Sequence, residues 1–263
     1  MEILVCVKRV PDTSENEIAL NRSRDDIERD DLIYSINEWD NYAVEEALRI
    51  TAKTGGSVTV VTAGGEDDEE ILRREMAMGA SRGMLLAKDA FAGCDGKVIA
   101  TILQAFVQKG RYDLILTGAQ AEDGSAQVGG MLAALLDYPF ASLVNAIEVV
   151  DGMKLKVCRE IAGGNREVSE IDLPCVLSIQ TGINEPRYVG MRGIRQVASI
   201  PIPRWTAAEL GIDPATVDAA AAKVKRVDYF VPASRKGAEM LQGMREENIE
   251  KVLELVAAQG GLK

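Results

Sequence analysis

The residues with the most chemical use lie in one run, Gly118-Ala119-Gln120-Ala121-Glu122-Asp123-Gly124-Ser125-Ala126-Gln127-Val128-Gly129-Gly130. Small residues from Gly124 to Ala126 let a ligand approach the backbone, and Ser125 and Gln127 add side-chain hydrogen bonds. The apolar stretch Met131-Leu132-Ala133-Ala134-Leu135-Leu136 follows directly. A helix beginning here aims free N–H groups and its positive end at an anion. A phosphate or pyrophosphate fits such a site without a lysine; so does a plain strand–helix turn that uses glycine for geometry only. Two other short loops follow apolar runs, Lys8-Arg9-Val10-Pro11-Asp12 and Ala63-Gly64-Gly65. No G-x-G-x-x-G follows the first apolar run and no G-x-x-x-x-G-K-[ST] occurs anywhere. Those absences exclude the standard dinucleotide and P-loop fingerprints and leave an adenine nucleotide held in some other way.

Composition narrows the chemistry further. The chain of 263 residues contains no histidine, which removes Ser-His-Asp and Cys-His catalysis and the commonest transition-metal ligand together. Its net charge of −11 disfavours nucleic acid and anionic membranes as partners. Cys6, Cys94, Cys158 and Cys175 form no C-x-x-C pair and read as small hydrophobes rather than as zinc ligands or disulfides. The opening Met1-Glu2-Ile3-Leu4-Val5 lacks the features of a secretory signal, and no apolar run is long enough for membrane insertion. A cytoplasmic protein that borrows its chemistry from a cofactor is the expectation, with no catalytic side chain nominated.

The elements that must position these loops alternate up to about residue 120. Ile3–Val7, Ser57–Thr62 and Tyr112–Thr117 are near-continuous apolar runs, with Gly83–Leu86 a shorter one, of the kind buried in parallel sheets. Between them lie amphipathic helices. One carries Trp39, Ala43, Ala47 and Ile50, with Asn37 at the N-cap; another carries Ile71, Leu72 and Met76 and ends near Gly79. A third, with Val98, Ile102, Leu103 and Phe106, ends at Gly110. The alternation gives an α/β class, doubly wound with a mostly parallel sheet. Asp151-Gly152 and Gly163-Gly164 mark reversals, and Leu173–Ile179 returns to an apolar strand, so an antiparallel extension of the same domain follows Pro139.

Pro201 and Pro203 then break the chain. Residues 206–225 are alanine-rich and read as helical, Arg226 to Pro232 as extended. A final helix carries Ile249, Val252, Leu253 and Val256 on one face. A piece of about 60 residues rarely builds its own core. Periodicity alone does not choose between packing on its own domain and gripping another chain. The division is residues 1–200 as a nucleotide-binding domain and 201–263 as a C-terminal helical arm.

At this point the order of motifs becomes recognisable. Val7-Lys8-Arg9-Val10-Pro11-Asp12, Asn37 ahead of Ala43-Val44-Glu45-Glu46-Ala47, Met78-Gly79-Ala80, the Gly118–Gly129 loop, Arg159-Glu160 with Gly163-Gly164, Leu173-Pro174 and Asn184-Glu185-Pro186-Arg187-Tyr188 resemble the beta subunits of electron transfer flavoproteins to about residue 200. The resemblance implies an adenine-nucleotide alpha-hydrolase-like fold and a heterodimer with an alpha subunit that the C-terminal arm contacts. It implies a cofactor pocket from Cys6, Asn37, Glu38, Trp39, Asp40, Ala63, Gly118, Gln120, Asp123, Gly124, Ser125, Ala126, Gln127 and Val128. It also implies a docking segment for a flavin dehydrogenase at Tyr188, Met191, Arg192, Ile194 and Arg195. That segment departs from the well-known carriers, where it leads into a lysine run.

In this family the beta pocket holds either AMP, as a scaffold, or FAD. The form Asp123-Gly124-Ser125-Ala126-Gln127-Val128-Gly129 and the Gly193-Ile194 segment ahead of Trp205 are more similar to FAD-holding members. In those, NADH feeds electrons that divide between ferredoxin and the alpha flavin, so FAD with NADH-linked electron bifurcation is the reading, and AMP in a simple carrier the alternative. From other classes, an ATP-binding enzyme or nucleotide sensor would need carboxylates for a metal, which only Glu122 and Asp123 offer, and an assembly subunit with a vestigial pocket would bind no nucleotide.

Overall fold

In the strand β1 (Glu2–Cys6), Ile3, Leu4 and Val5 are fully buried. They face opposite ways, Ile3 and Val5 into one core cluster and Leu4 into the other, because successive side chains of a strand alternate faces. A strand apolar on both sides needs cover on both sides, and the order of elements supplies it. The computed structural model describes residues 1–87, 94–122, 124, 126–233, 237–238 and 240–261.

After β1 come a short antiparallel pair, β2 (Arg9–Pro11) and β3 (Tyr34–Ile36), then α1 (Glu38–Thr54) and β4 (Ser57–Gly64). The chain continues through α2 (Glu69–Met78), β5 (Arg82–Ala87), α3 (Gly96–Val107), β6 (Leu114–Gly118) and α4 (Val128–Leu136). A long strand β7 (Phe140–Asp151), then β8 (Lys154–Ile161) and β9 (Asn165–Asp172), form the antiparallel meander before β10 (Cys175–Ile179) re-enters the sheet. Then follow α5 (Met191–Val197), β11 (Arg204–Trp205), α6 (Ala207–Leu210) and α7 (Arg245–Ala258).

Nine of these strands form one sheet in the order β11-β5-β4-β1-β6-β10-β7-β8-β9. All pairings from β11 to β7 are parallel; β7–β8 and β8–β9 are antiparallel. Residues of α1 and α2, among them Val44, Ala47, Leu72 and Met76, cover one face. Leu103 and Phe106 of α3 and Leu132 of α4 cover the other. The expected doubly wound sheet with its antiparallel extension is what forms. The β2–β3 pair and α5 were not read from periodicity, being three and seven residues long.

Two expectations change. The first compact unit runs from Met1 to Asp228, not to residue 200. Residues 201–228 belong to it because β11 pairs with β5, Trp205 packs edge-on against Phe106 with ring centroids 6.0 Å apart, and Leu210, Val217 and Ala222 are buried in the α3–α4 cluster. Nor is 206–225 one helix. Gly211, at φ 75°, ends α6 after one turn, and the Asp213 and Asp218 side chains accept N–H groups of Ala215 and Ala221, which favours short turns over a continuous helix.

The second unit is Tyr229–Lys263. Its helix α7 leaves Ile249, Val252, Leu253 and Val256 exposed, the face that the sequence pattern set apart. Among the described residues no helix is long and apolar enough to cross a membrane.

Candidate nucleotide site

From β1 the chain moves outward to β4 and β5 on one side, then crosses through α3 to β6 on the other. The carboxyl ends of β1 and β6 therefore flank the point where the connections diverge, the usual position of a ligand crevice in open α/β sheets. What closes this crevice at its base is Asp40, in the first turn of α1. Its Oδ2 accepts the Lys8 N–H at 2.9 Å and its Oδ1 accepts the Gly118 N–H at 2.9 Å, so one carboxylate ties the two strand ends together. Burial pushes this carboxyl up to about 7, opposed by the bonds from Asn37, Gly118 and Lys8. Gly118 is glycine because a Cβ there would collide with Asp40 Oδ1 and the Trp39 Cβ.

Asn37 stands at the N-cap of α1, yet its side chain makes no cap bond. Its Nδ2 instead donates to the Gln120 carbonyl at 2.8 Å, holding the long loop after β6, and its Oδ1 is buried with no hydrogen-bond partner among the described residues. Beside it, Trp39 Nε1 donates to Gln180 Oε1 at 2.9 Å, linking α1 to the end of β10. One level below, Thr117 and Ser178 share a buried 2.8 Å hydrogen bond between β6 and β10. Gly129 sits directly on that pair, where any Cβ would meet both hydroxyls. Helix α4 is thus seated over the ends of β6 and β10, and its first-turn N–H groups have no intrahelical acceptor.

Several amides at the strand ends are already bonded within the chain. The Lys8 and Gly118 amides are taken by Asp40. At the end of β4 the Gly65 N–H is taken by Asp68 Oδ2 at 2.7 Å. Cys6 is not a reactive thiolate, since burial and then the Asp40 charge push its thiol up. Cys6, Cys94, Cys158 and Cys175 form no disulfide among the described residues. Among the described residues no group of acidic, cysteine or histidine side chains could hold a metal ion.

The structure joins Cys6, Asn37, Asp40, Gly118 and Gln120 in or beside one bonded cluster, with Trp39 bridging to Gln180. Ala63 stands at the end of β4, the strand next to β1. Glu38 is exposed on the first turn of α1. Gly124 and Ala126 are exposed in the loop, Ala126 at φ 55°. The Gln127 side chain lies over Gly96 at the start of α3, and Val128 opens α4. Asp123 and Ser125 lie outside the described residues. Tyr188, Met191, Arg192, Ile194 and Arg195 belong to a different element, α5 and its approach, where all five are exposed. Sequence reading missed Thr117, Ser178 and Gln180. The first two carried a signal: each is the polar residue of an otherwise apolar strand, and the two are register partners.

Asn37 Oδ1 and the α4 terminus together suit a ligand with an anionic end and a hydrogen-bond donor. The model of the electron transfer flavoprotein domain matches residues 26–210. The chain belongs to that family, among its beta subunits.

Three relatives show the reach of the match. A Methylophilus methylotrophus electron transfer flavoprotein subunit beta is 33% identical over 260 residues, covering 97% of this chain and 98% of its own. Subunit CarD of the caffeyl-CoA reductase-Etf complex of Acetobacterium woodii is 36% identical, covering 92% of each chain. Protein FixA of Azotobacter vinelandii is 36% identical over 81% of this chain and 77% of its own.

Proposed function

We propose that this chain is the beta subunit of a heterodimeric electron carrier and that its crevice holds FAD, with AMP as the alternative occupant. The observation that carries this reading is the Asp40 clamp with the unpartnered Asn37 Oδ1 above it and α4 beside it. In this reading the first turn of α4 binds the phosphates and Asn37 Oδ1 accepts a donor from the adenosine half. Asp40 binds no ligand atom; it holds the two strand ends so that the crevice keeps its width. Trp39 and Gln180 fix the wall at β10. Bound FAD supplies hydride acceptance and one-electron transfer, which no side chain here can perform.

The rest of the reading follows the family. An alpha subunit with its own FAD is the obligatory partner, and the exposed apolar face of α7 is the surface offered to it. NADH is the hydride donor, and electrons divide between a low-potential acceptor such as ferredoxin and the alpha flavin. Tyr188, Met191, Arg192, Ile194 and Arg195 dock a flavin dehydrogenase, with Met191, 66% exposed, as the apolar anchor. The complex works in the cytoplasm.

Denaturing the purified heterodimer and counting released FAD and AMP tests the cofactor assignment. Two FAD and no AMP are expected. One FAD with one AMP would replace bifurcation by a single-flavin carrier, and one FAD alone would overturn the crevice assignment.

A further inference from the structure

The docking segment is short and projects outward, yet it is held at both ends by arginine. On its N-terminal side Arg187 makes a two-pronged pair with Glu45 of α1, Nε to Oε2 at 2.7 Å and Nη2 to Oε1 at 3.0 Å, and its own N–H adds a third bond to that carboxylate. On the C-terminal side Arg73 of α2 reaches across. Its Nη1 lies 3.1 Å from each of three carbonyl oxygens, those of Val197, Ala198 and Ile200. The Val197 and Ala198 carbonyls close α5, the first also accepting the Ile200 N–H at 3.1 Å, and the Ile200 carbonyl lies two residues beyond the Ala198 cap. Glu69 Oε2 orients the same guanidinium from one turn earlier, at 3.3 Å. Between the two staples the α5 backbone rests on α2, so closely that a Cβ on Gly193 would stand 3.3 Å from the Ala77 carbonyl oxygen.

A seven-residue helix has no stability of its own in water. Without the Arg73 contacts, α5 would exchange among conformations and a partner would have to order it on binding. We propose that Arg73 is the positioning residue of the docking segment: it caps the C-terminus of α5 and so presents Met191 and Ile194 in a fixed arrangement before any partner arrives. This rests on the docking role given to α5 above. Charge states the kind of surface that fits. From Pro186 to Ala208 there is no Asp or Glu, and Arg192 and Arg195 are exposed there, whereas Arg187 and Arg204 are paired within the chain, with Glu45 and with Glu66 and Glu69. The partner is therefore a flavin dehydrogenase with an apolar pocket rimmed by carboxylates. Arginine rather than lysine is needed at position 73, because a planar, many-donor group can serve several carbonyls while staying paired with Glu69.

The test uses the intact alpha–beta heterodimer carrying Arg73→Met, Arg73→Lys or Met191→Glu. Amide hydrogen exchange is followed in the absence of partner, together with electron transfer to a flavin dehydrogenase that gives a saturable rate with the unmodified protein. Arg73→Met should speed exchange at Gly193 to Val197 about tenfold or more, the scale of losing hydrogen bonds to a charged group, while exchange in α1 stays as it was. It should raise the KM for the carrier by a similar factor with kcat and bound nucleotide unchanged, and Arg73→Lys should recover part of both. Unchanged exchange in α5, or a loss spread over the whole subunit, would overturn the positioning role. If Met191→Glu raises KM and Arg73→Met does not, the positioning proposal fails and docking stands. If Met191→Glu leaves KM unchanged, the docking reading itself fails, and with it the role of Arg73.

Discussion

The crevice and the docking surfaces of this subunit are built in opposite senses. At the crevice, polar groups point inward and are tied by bonds between distant parts of the chain: Asp40 to Lys8 and Gly118, Asn37 to Gln120, Trp39 to Gln180. At α5 and α7 apolar side chains face solvent instead: Met191, Ile194, Ile249, Val252 and Leu253 are all exposed. A small anionic ligand is held by fixed backbone and side-chain dipoles that need rigid support. A protein partner is met by apolar surface, which gains free energy only once it is covered. In the proposed reading the same scaffold carries both tasks by placing one on strand ends and the other on elements outside the sheet.

The sharpest way to break this comparison is at Asp40. Asp40→Ala leaves the Lys8 and Gly118 amides without their acceptor, at a cost of about 2–5 kcal/mol for the two together. Chemical denaturation should show that loss, and the purified heterodimer should lack its second nucleotide while keeping the alpha flavin.

Next in size is an effect of pH. Glu75 of α2 is fully buried, both carboxylate oxygens are without a hydrogen-bond partner among the described residues, and burial raises its carboxyl to about 8, opposed by the Arg74 charge and helped by those of Asp40 and Glu45. The folded chain keeps that proton to about pH 8, whereas the unfolded chain releases it near the ordinary value of 4.5. Folding therefore takes up a proton between these values, and stability falls as pH rises through the interval. Glu75→Gln should flatten this slope, adding about 2 kcal/mol or more above pH 8 and little below pH 4.5. Urea unfolding across that range checks it; parallel curves for the two proteins would mean that the carboxyl is ionised and partnered in solution.

A smaller effect sharpens the other side. Leu253→Ser in α7 should leave the melting of the chain's first unit untouched, since Leu253 is exposed, and weaken the heterodimer about tenfold. Analytical ultracentrifugation over a dilution series reads the second effect. Destabilised melting with unchanged association would reverse the assignment of that face.

The sheet and most helices were legible because burial on two faces writes long apolar runs, as in Leu114-Ile115-Leu116 and Cys175-Val176-Leu177. The 206–225 stretch misled because alanine content reports helix propensity, while Gly211, Asp213 and Asp218 decide where each turn stops. The loop composition at Gly118–Gly130 marked a candidate site, but not the bonds that hold it. Asn37 holds the N-cap position expected of it, but its side chain tethers the loop after β6; Asp40, expected in the pocket, also clamps two strand ends. Nothing local to these residues names partners 78 or 83 positions away. The Arg73 staple was equally silent, since its acceptors are backbone carbonyls that carry no residue signature.

The measurement that bears most directly on the crevice is a nucleotide count on the unmodified heterodimer beside one carrying Gly118→Val, whose side chain would enter the space held by Asp40 and Trp39. The account expects one adenine nucleotide beyond the alpha subunit's FAD in the unmodified protein and none in the variant, with the alpha flavin intact in both. A variant that assembles and retains the full complement would contradict it, and would place the nucleotide away from the ends of β1 and β6.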